Sequence, residues 1–134
     1  MEKIIKIESR LNNLSIVENA IDNLTRDTGI NSDNYGKIMV SVMEAVNNAI
    51  VHGNKYNEKK YVKICIKLEN NILNVTVEDE GKGFKPSEVP DPTEPENLEN
   101  VNGRGVFLMK NLADELEFNK AGNKVILKFK NIFS

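Results

Sequence analysis

The chain has 134 residues, with 18 Lys and Arg against 20 Asp and Glu, a formal net charge of −2 and 40% apolar residues. That length suits one domain able to bury its own core. The slightly acidic balance argues against nucleic acid as the main partner, because phosphate binding calls for a basic face. No apolar run approaches the ~20 residues of a membrane span. The opening Met-Glu-Lys-Ile-Ile-Lys-Ile-Glu lacks the apolar core of a signal peptide, so neither membrane nor export is expected and a cytoplasmic location follows. Cys65 is the single cysteine, which rules out a disulfide framework, and its place in an alternating run predicts a buried strand position.

Residues 3–8 alternate Ile with charge and read as a short strand. From Leu11 to Thr28 the apolar positions Leu11, Leu14, Val17, Ala20 or Ile21, and Leu24 keep helical spacing, and Gly29 ends the run. Ser32 or Asp33 is the expected cap of the next helix, which stops near Gly53. Residues 61–68 alternate as a strand, Glu69-Asn70-Asn71 supplies a turn, and residues 72–77 return as the hairpin partner. A stretch without periodicity then holds all four prolines, Pro86, Pro90, Pro92 and Pro95, and reads as a lid over about 84–102. Gly103-Arg104-Gly105 opens a short helix over 106–113, and two strands near 115–119 and 124–130 meet at a turn around Gly122. The expected fold class is α+β. It is a two-layer α/β sandwich of a mainly antiparallel sheet with the helices on one face, in a single domain over 1–134.

The second helix carries more than packing information. Tyr35, Ile38, Met39, Val42, Val46, Ala49 and Ile50 recur at three- and four-residue steps and form its apolar face. Glu44, Asn48 and His52 advance one turn each and drift only about 40° per step, so they project together. His52, just before Gly53, is explained as a favourable charge near a helix C-terminus with Gly53 as a left-handed stop. Glu44 and Asn48 cost desolvation energy unless a backbone group or a ligand satisfies them.

Two Gly-x-Gly pairs, Gly81/Gly83 and Gly103/Gly105, flank the lid. Glycine allows a backbone to approach a ligand closely, and the second pair opens a helix, where free N–H groups favour phosphate. Arg104 adds a cation there. Asp79, at a strand end, offers a carboxylate suited to an exocyclic amine such as that of adenine. The Asn48 amide oxygen suits Mg²⁺, which commonly takes only one or two protein ligands and the rest from phosphates and water. One turn away, Glu44 is placed to hold or deprotonate the nucleophile that attacks a γ-phosphate.

Glu44-x-x-x-Asn48-Ala49 with His52-Gly53 resembles the N box of the GHKL superfamily of ATPases and kinases, the Bergerat nucleotide-binding fold. Asp79-x-Gly81-x-Gly83 resembles its G1 box, and Gly103-Arg104-Gly105-Val106-Phe-Leu-Met109 its G2 box. Within the superfamily the chain is most similar to anti-sigma factor serine kinases of the RsbW and SpoIIAB type. The resemblance implies a kinase that uses ATP and Mg²⁺ to phosphorylate a serine on a STAS-domain anti-anti-sigma protein, sequesters a sigma factor and forms a homodimer. It implies Glu44 and Arg104 as catalytic residues and Asn48 as the metal ligand. Nucleotide contacts would come from Asn48, Asp79, Gly81, Gly83, Gly103, Arg104, Gly105, Val106 and Asn123. Two positions depart from the family pattern. An Arg often found just upstream of the G2 glycines is replaced by Val101 and Asn102, and the Gly-Thr of the last hairpin is Gly122-Asn123. The alternative is a regulatory module in which nucleotide sets the shape of a binding surface and no phosphoryl moves; Glu44 favours the enzyme, because a sensor has no need of a base. A catalytic domain cut from a longer histidine kinase fits less well, since the single His52 lies in the N box and no phosphoacceptor helix precedes it.

Overall fold

A computed structural model describes residues 1–81 and 101–133, without the side chains of 101–105. The alternating segments become β1 (Glu2–Glu8), β2 (Tyr61–Glu69), β3 (Ile72–Glu78), β4 (Glu115–Phe118) and β5 (Lys124–Phe129). They form one antiparallel sheet in the order β1-β2-β3-β5-β4. The β2–β3 hairpin turns on Asn70 and Asn71, with φ of 51° and 66°. Two successive left-handed residues match the right-handed twist of the flanking strands, and Asn tolerates that conformation better than most side chains.

Period-2 alternation sends Ile5, Ile7, Val62, Ile64, Ile66, Leu73, Val75, Val77, Val125, Leu127 and Phe129 to one face, where all are buried. Three helices cover that face: α1 (Leu14–Thr28), preceded by a single 3₁₀ turn at Leu11–Asn13, then α2 (Ser32–Asn48) and α3 (Val101–Leu112). Their stripes, from Val17, Ile21 and Leu24 through Ile38, Val42 and Val46 to Val106 and Met109, join the strand residues in one apolar core. α2 is the central helix and packs against α1, α3, β3 and β5. The C-terminal segment is clipped to its start: Ile132 is buried, and the Asn34 side-chain amide donates to the carbonyls of Asn131 and Ile132 at 3.3 and 2.9 Å.

Three expectations are corrected. The cap of α2 is Asn31, whose side-chain oxygen accepts from the Asn34 N–H at 2.9 Å, in place of Ser32 or Asp33. Asn31 has extended dihedrals, as a cap requires, while Ser32 and Asp33 already lie inside the helix. Cys65 is not fully buried. It points to the face of the sheet that carries no helix, beside Ile4 and Thr76 in register, and Ile4 there is 58% exposed. Partial burial and the nearby Glu2 carboxylate still push its thiol pKa up. Finally, α3 begins at Val101, so the second Gly-x-Gly pair lies within the helix and not ahead of it. The first four N–H groups of an α-helix have no intrahelical acceptor, so those of Gly103 and Arg104 remain at the helix end.

Candidate functional site

Glu44 and Asn48 stand one turn apart near the C-terminal end of α2, both half-buried. The Asn48 side-chain oxygen is buried and has no hydrogen-bond partner among the described residues. An unsatisfied buried acceptor costs about 1–3 kcal/mol, which makes this oxygen a candidate for a ligand contact; Thr25 Oγ1 in α1 is likewise buried without a partner among the described residues.

Beyond Asn48 the helix widens into a π-turn, Ala49–Gly53. The Asn54 N–H reaches back five residues to Ala49 O at 2.8 Å, and the Tyr56 N–H reaches Ile50 O at 2.9 Å. Lys55 and Tyr56 follow in the left-handed region with φ of 50° and 59°, an unfavourable conformation for side-chain-bearing residues that the surrounding bonds enforce. Isolated π-turns inside helices are frequent at functional sites, because the extra residue re-aims whatever follows. Here it drives Gly53 onto the segment after β3.

That contact corrects the reading of Gly53. Among the described glycines, positive φ occurs at Gly29 and Gly122, whereas Gly53 makes no left-handed stop. Gly53 is required for space. A Cβ there would lie 2.3 Å from the Asp79 carboxyl carbon, and a Cβ on Gly81 would lie 2.1 Å from the Gly53 carbonyl oxygen. The end of the Glu44/Asn48 helix and the Asp79–Gly81 segment are thus packed backbone to backbone, although 26 residues of chain separate Gly53 from Asp79.

Asp79 is half-buried, and its carboxylate accepts the Gly81 N–H at 2.8 Å. Burial raises its pKa, and the Gly81 N–H opposes that rise by stabilising the charged form. The Asp79 main chain is held across the sheet end by Asn123. Its N–H donates to Asn123 O at 2.9 Å, and its carbonyl accepts from the Asn123 side-chain amide at 3.2 Å. The Asn123 side-chain oxygen accepts from the Asn119 amide at 2.7 Å, so this residue serves the geometry of Asp79 directly. His52 is exposed, with a pKa lowered by partial desolvation. Val106 is buried in the apolar core with Met109 on the face of α3 that meets α2.

The described residues bring Asp79, Gly81 and Asn123 together with Gly53, and Glu44 and Asn48 lie on the helix that runs into that contact. Gly83 and residues 84–100 of the lid lie outside the described residues, as do the side chains of Arg104 and of residues 101–103 and 105. Sequence reasoning missed Asn54, which is 2% exposed and bonded to the segment after β3. The only available signal was an amide immediately after His52-Gly53.

A model of the histidine kinase-like ATPase domain matches residues 7–129, and the chain belongs to that family. Its relatives include the anti-sigma F factor of Bacillus cytotoxicus, 41% identical over 85 residues, covering 60% of this chain and 57% of that protein. The anti-sigma F factor of Bacillus thuringiensis matches to the same extent. The chain spans 57% of the length of these relatives. Among solved structures it is similar to the RsbU and RsbW domains of a Mycobacterium tuberculosis protein, with a TM-score of 0.70 at 16% identity, over 97% of this chain and 32% of that one. That likeness establishes the fold, the α+β layering expected from the alternation of strands and helices. Among the described residues no helix is long and apolar enough to cross a membrane.

Proposed function

We propose that the chain is a single ATP-binding domain that phosphorylates a serine on a STAS-domain anti-anti-sigma protein and sequesters a sigma factor, acting as a cytoplasmic homodimer. The observation that carries the nucleotide part is the orphaned Asn48 oxygen, one turn from the Glu44 carboxylate on a helix whose end packs onto Asp79. The relatives named anti-sigma F factor support the regulatory part.

In this reading the Asn48 oxygen holds Mg²⁺. Among the described residues no group of three or more His, Cys, Asp or Glu forms a cage. A single amide ligand suits an ion that brings phosphate and water oxygens with it. When bound, Mg²⁺ would neutralise charge developing on the transferred phosphoryl group. Glu44 takes the proton of the attacking serine hydroxyl as its oxygen bonds to the γ-phosphorus and ADP leaves. Asp79 accepts from the exocyclic amine of adenine, with Gly81, Gly83 and the N-terminal part of α3 at Gly103–Val106 allowing close approach around the phosphates. Arg104 stands in for the upstream Arg that Val101 and Asn102 lack.

Two measurements test this. Calorimetry with Mg·ATP is expected to show binding that Asn48→Ala weakens about tenfold or more, the effect of losing one ligand to a charged group. Equal affinity in the two proteins would remove Asn48 from the metal site. Incubation with γ-labelled ATP and a STAS-domain partner is expected to yield labelled serine. Nucleotide binding without any label would leave the regulatory-module reading in place of the kinase.

A further inference from the structure

We propose that Asn54 is a positioning residue that fixes the Asp79–Gly81 segment in the register required to read an adenine base. This rests on the assignment of Asp79 to the base pocket made above, and it adds a residue that no part of that assignment uses.

The side-chain amide of Asn54 is buried and fully bonded. Its nitrogen donates to Ser9 Oγ at 2.8 Å and to the Tyr61 carbonyl at 3.0 Å, and its oxygen accepts the Glu80 N–H at 2.8 Å. The direction of the amide is dictated by its neighbours. Ser9, 1% exposed at the end of β1, has its one hydroxyl proton committed to the Lys60 carbonyl at 2.8 Å. The Ser9 oxygen can therefore only accept from Asn54, and a carbonyl such as that of Tyr61 only accepts. Both acceptors hold the NH₂ end, so the carbonyl end must face Glu80. Asp, Leu or Ala cannot reproduce two donors and one acceptor in one plane.

Three strand ends are tied at this point: the exit of β1, the entry to β2 and the exit of β3. The knot lies between two residues of the site. Glu80 is the residue between Asp79 and Gly81, and Asn54 directly follows Gly53, whose missing Cβ makes room for the Asp79 carboxylate. Asn123 grips the main chain of Asp79 on one side, and Asn54 grips Glu80 on the other. With both grips the carboxylate has one seat beneath Gly53. Without Asn54, Glu80 is tied only through its exposed side chain, whose carboxylate accepts the Tyr61 N–H, so its main chain can pivot about Asp79, and a buried polar network left half satisfied loses its geometric definition. Positional errors near 1 Å are enough to degrade recognition.

The test compares ATP with ITP, whose base lacks the exocyclic amine, by calorimetry on the whole chain with Mg²⁺. The wild type is expected to prefer ATP. Asn54→Ala is expected to cut that preference about tenfold while ITP affinity stays within about twofold. Ser9→Ala removes only the hydroxyl that orients the Asn54 amide, and it is expected to cut the preference about threefold. It keeps the proposal testable should the first variant fail to fold. A merely structural role would weaken both nucleotides together and leave their ratio at the wild-type value, which would overturn the assignment of Asn54. Asp79→Asn is the reference. If it leaves the ratio unchanged, the base-pocket reading itself is overturned. If it collapses the ratio while Asn54→Ala and Ser9→Ala do not, only the positioning role is lost.

Discussion

Replacing Glu44 with alanine is expected to leave Mg·ATP affinity within about twofold of wild type and to lower phosphoryl transfer to a STAS-domain serine by about 10²–10⁴-fold, the range for loss of a general base. The two effects separate because Glu44 and Asn48 occupy successive turns of α2 with different partners in the proposed site. The Asn48 oxygen is buried without a hydrogen-bond partner among the described residues, whereas the Glu44 side chain is half-buried. A carboxylate that meets the incoming hydroxyl contributes to the transition state far more than to the ground state, so kcat falls while binding persists. Labelled-phosphate assays and calorimetry on the same preparation check this. Parallel loss of affinity and rate would make Glu44 a binding or folding residue. A chain that bound ATP yet showed no transfer even as wild type would make it irrelevant to chemistry.

Asp79→Asn is expected to weaken ATP by about 10–100-fold, the loss of one charge-assisted hydrogen bond, while raising thermal stability at neutral pH. The stability effect follows from the direction of the pKa shift. Burial raises the pKa of Asp79 above the unfolded value of about 3.9, and the Gly81 N–H only partly opposes this. The folded state therefore binds the proton more tightly than the unfolded state does. Stability linked to this group is full below the unfolded pKa and declines as pH rises through the folded value. At pH 7 the carboxylate is charged in a half-buried seat, and a neutral amide of the same shape relieves that cost. The rise in Tm should vanish on acidification below pH 4, where Asp79 is itself protonated. A lower Tm for the variant at pH 7 would show that the bond to Gly81 outweighs desolvation. For the same reason, ATP affinity of the wild type should fall as pH drops through the raised pKa, and the variant should lack that dependence.

Together these results would describe a site that is maintained at a cost in stability. The buried Asn48 oxygen, the desolvated Asp79 and the left-handed Lys55–Tyr56 pair are each unfavourable to the isolated fold, and all lie at or next to the junction of α2 with the segment after β3. Similar features occur elsewhere, at Thr25 Oγ1 and at the left-handed Asn70, Asn71 and Asn131, but at this junction three of them meet, a pattern expected where binding opposes stability.

The amino-acid sequence by itself determined the elements and singled out the candidate site residues. Strand alternation and helix periodicity are local properties of the chain, and so are turns such as Asn70-Asn71, whose residue types tolerate left-handed dihedrals. Hence β2, β3 and α2 were legible, and Glu44, Asn48 and Asp79 stood out as candidates, unusual polar residues beside regular apolar stripes. Tertiary structure decided whatever depends on distant contacts. Alternation shows which residues share a face but not which face a helix covers, and so Cys65 was misplaced. Composition placed Gly53 at a helix stop, whereas its true constraint is the carboxylate of Asp79 pressed against it. Asn54 carried no periodic signal at all, because its partners lie 7, 26 and 45 residues away, and a hydrogen-bond network closed across three strand ends exists only once the sheet has formed.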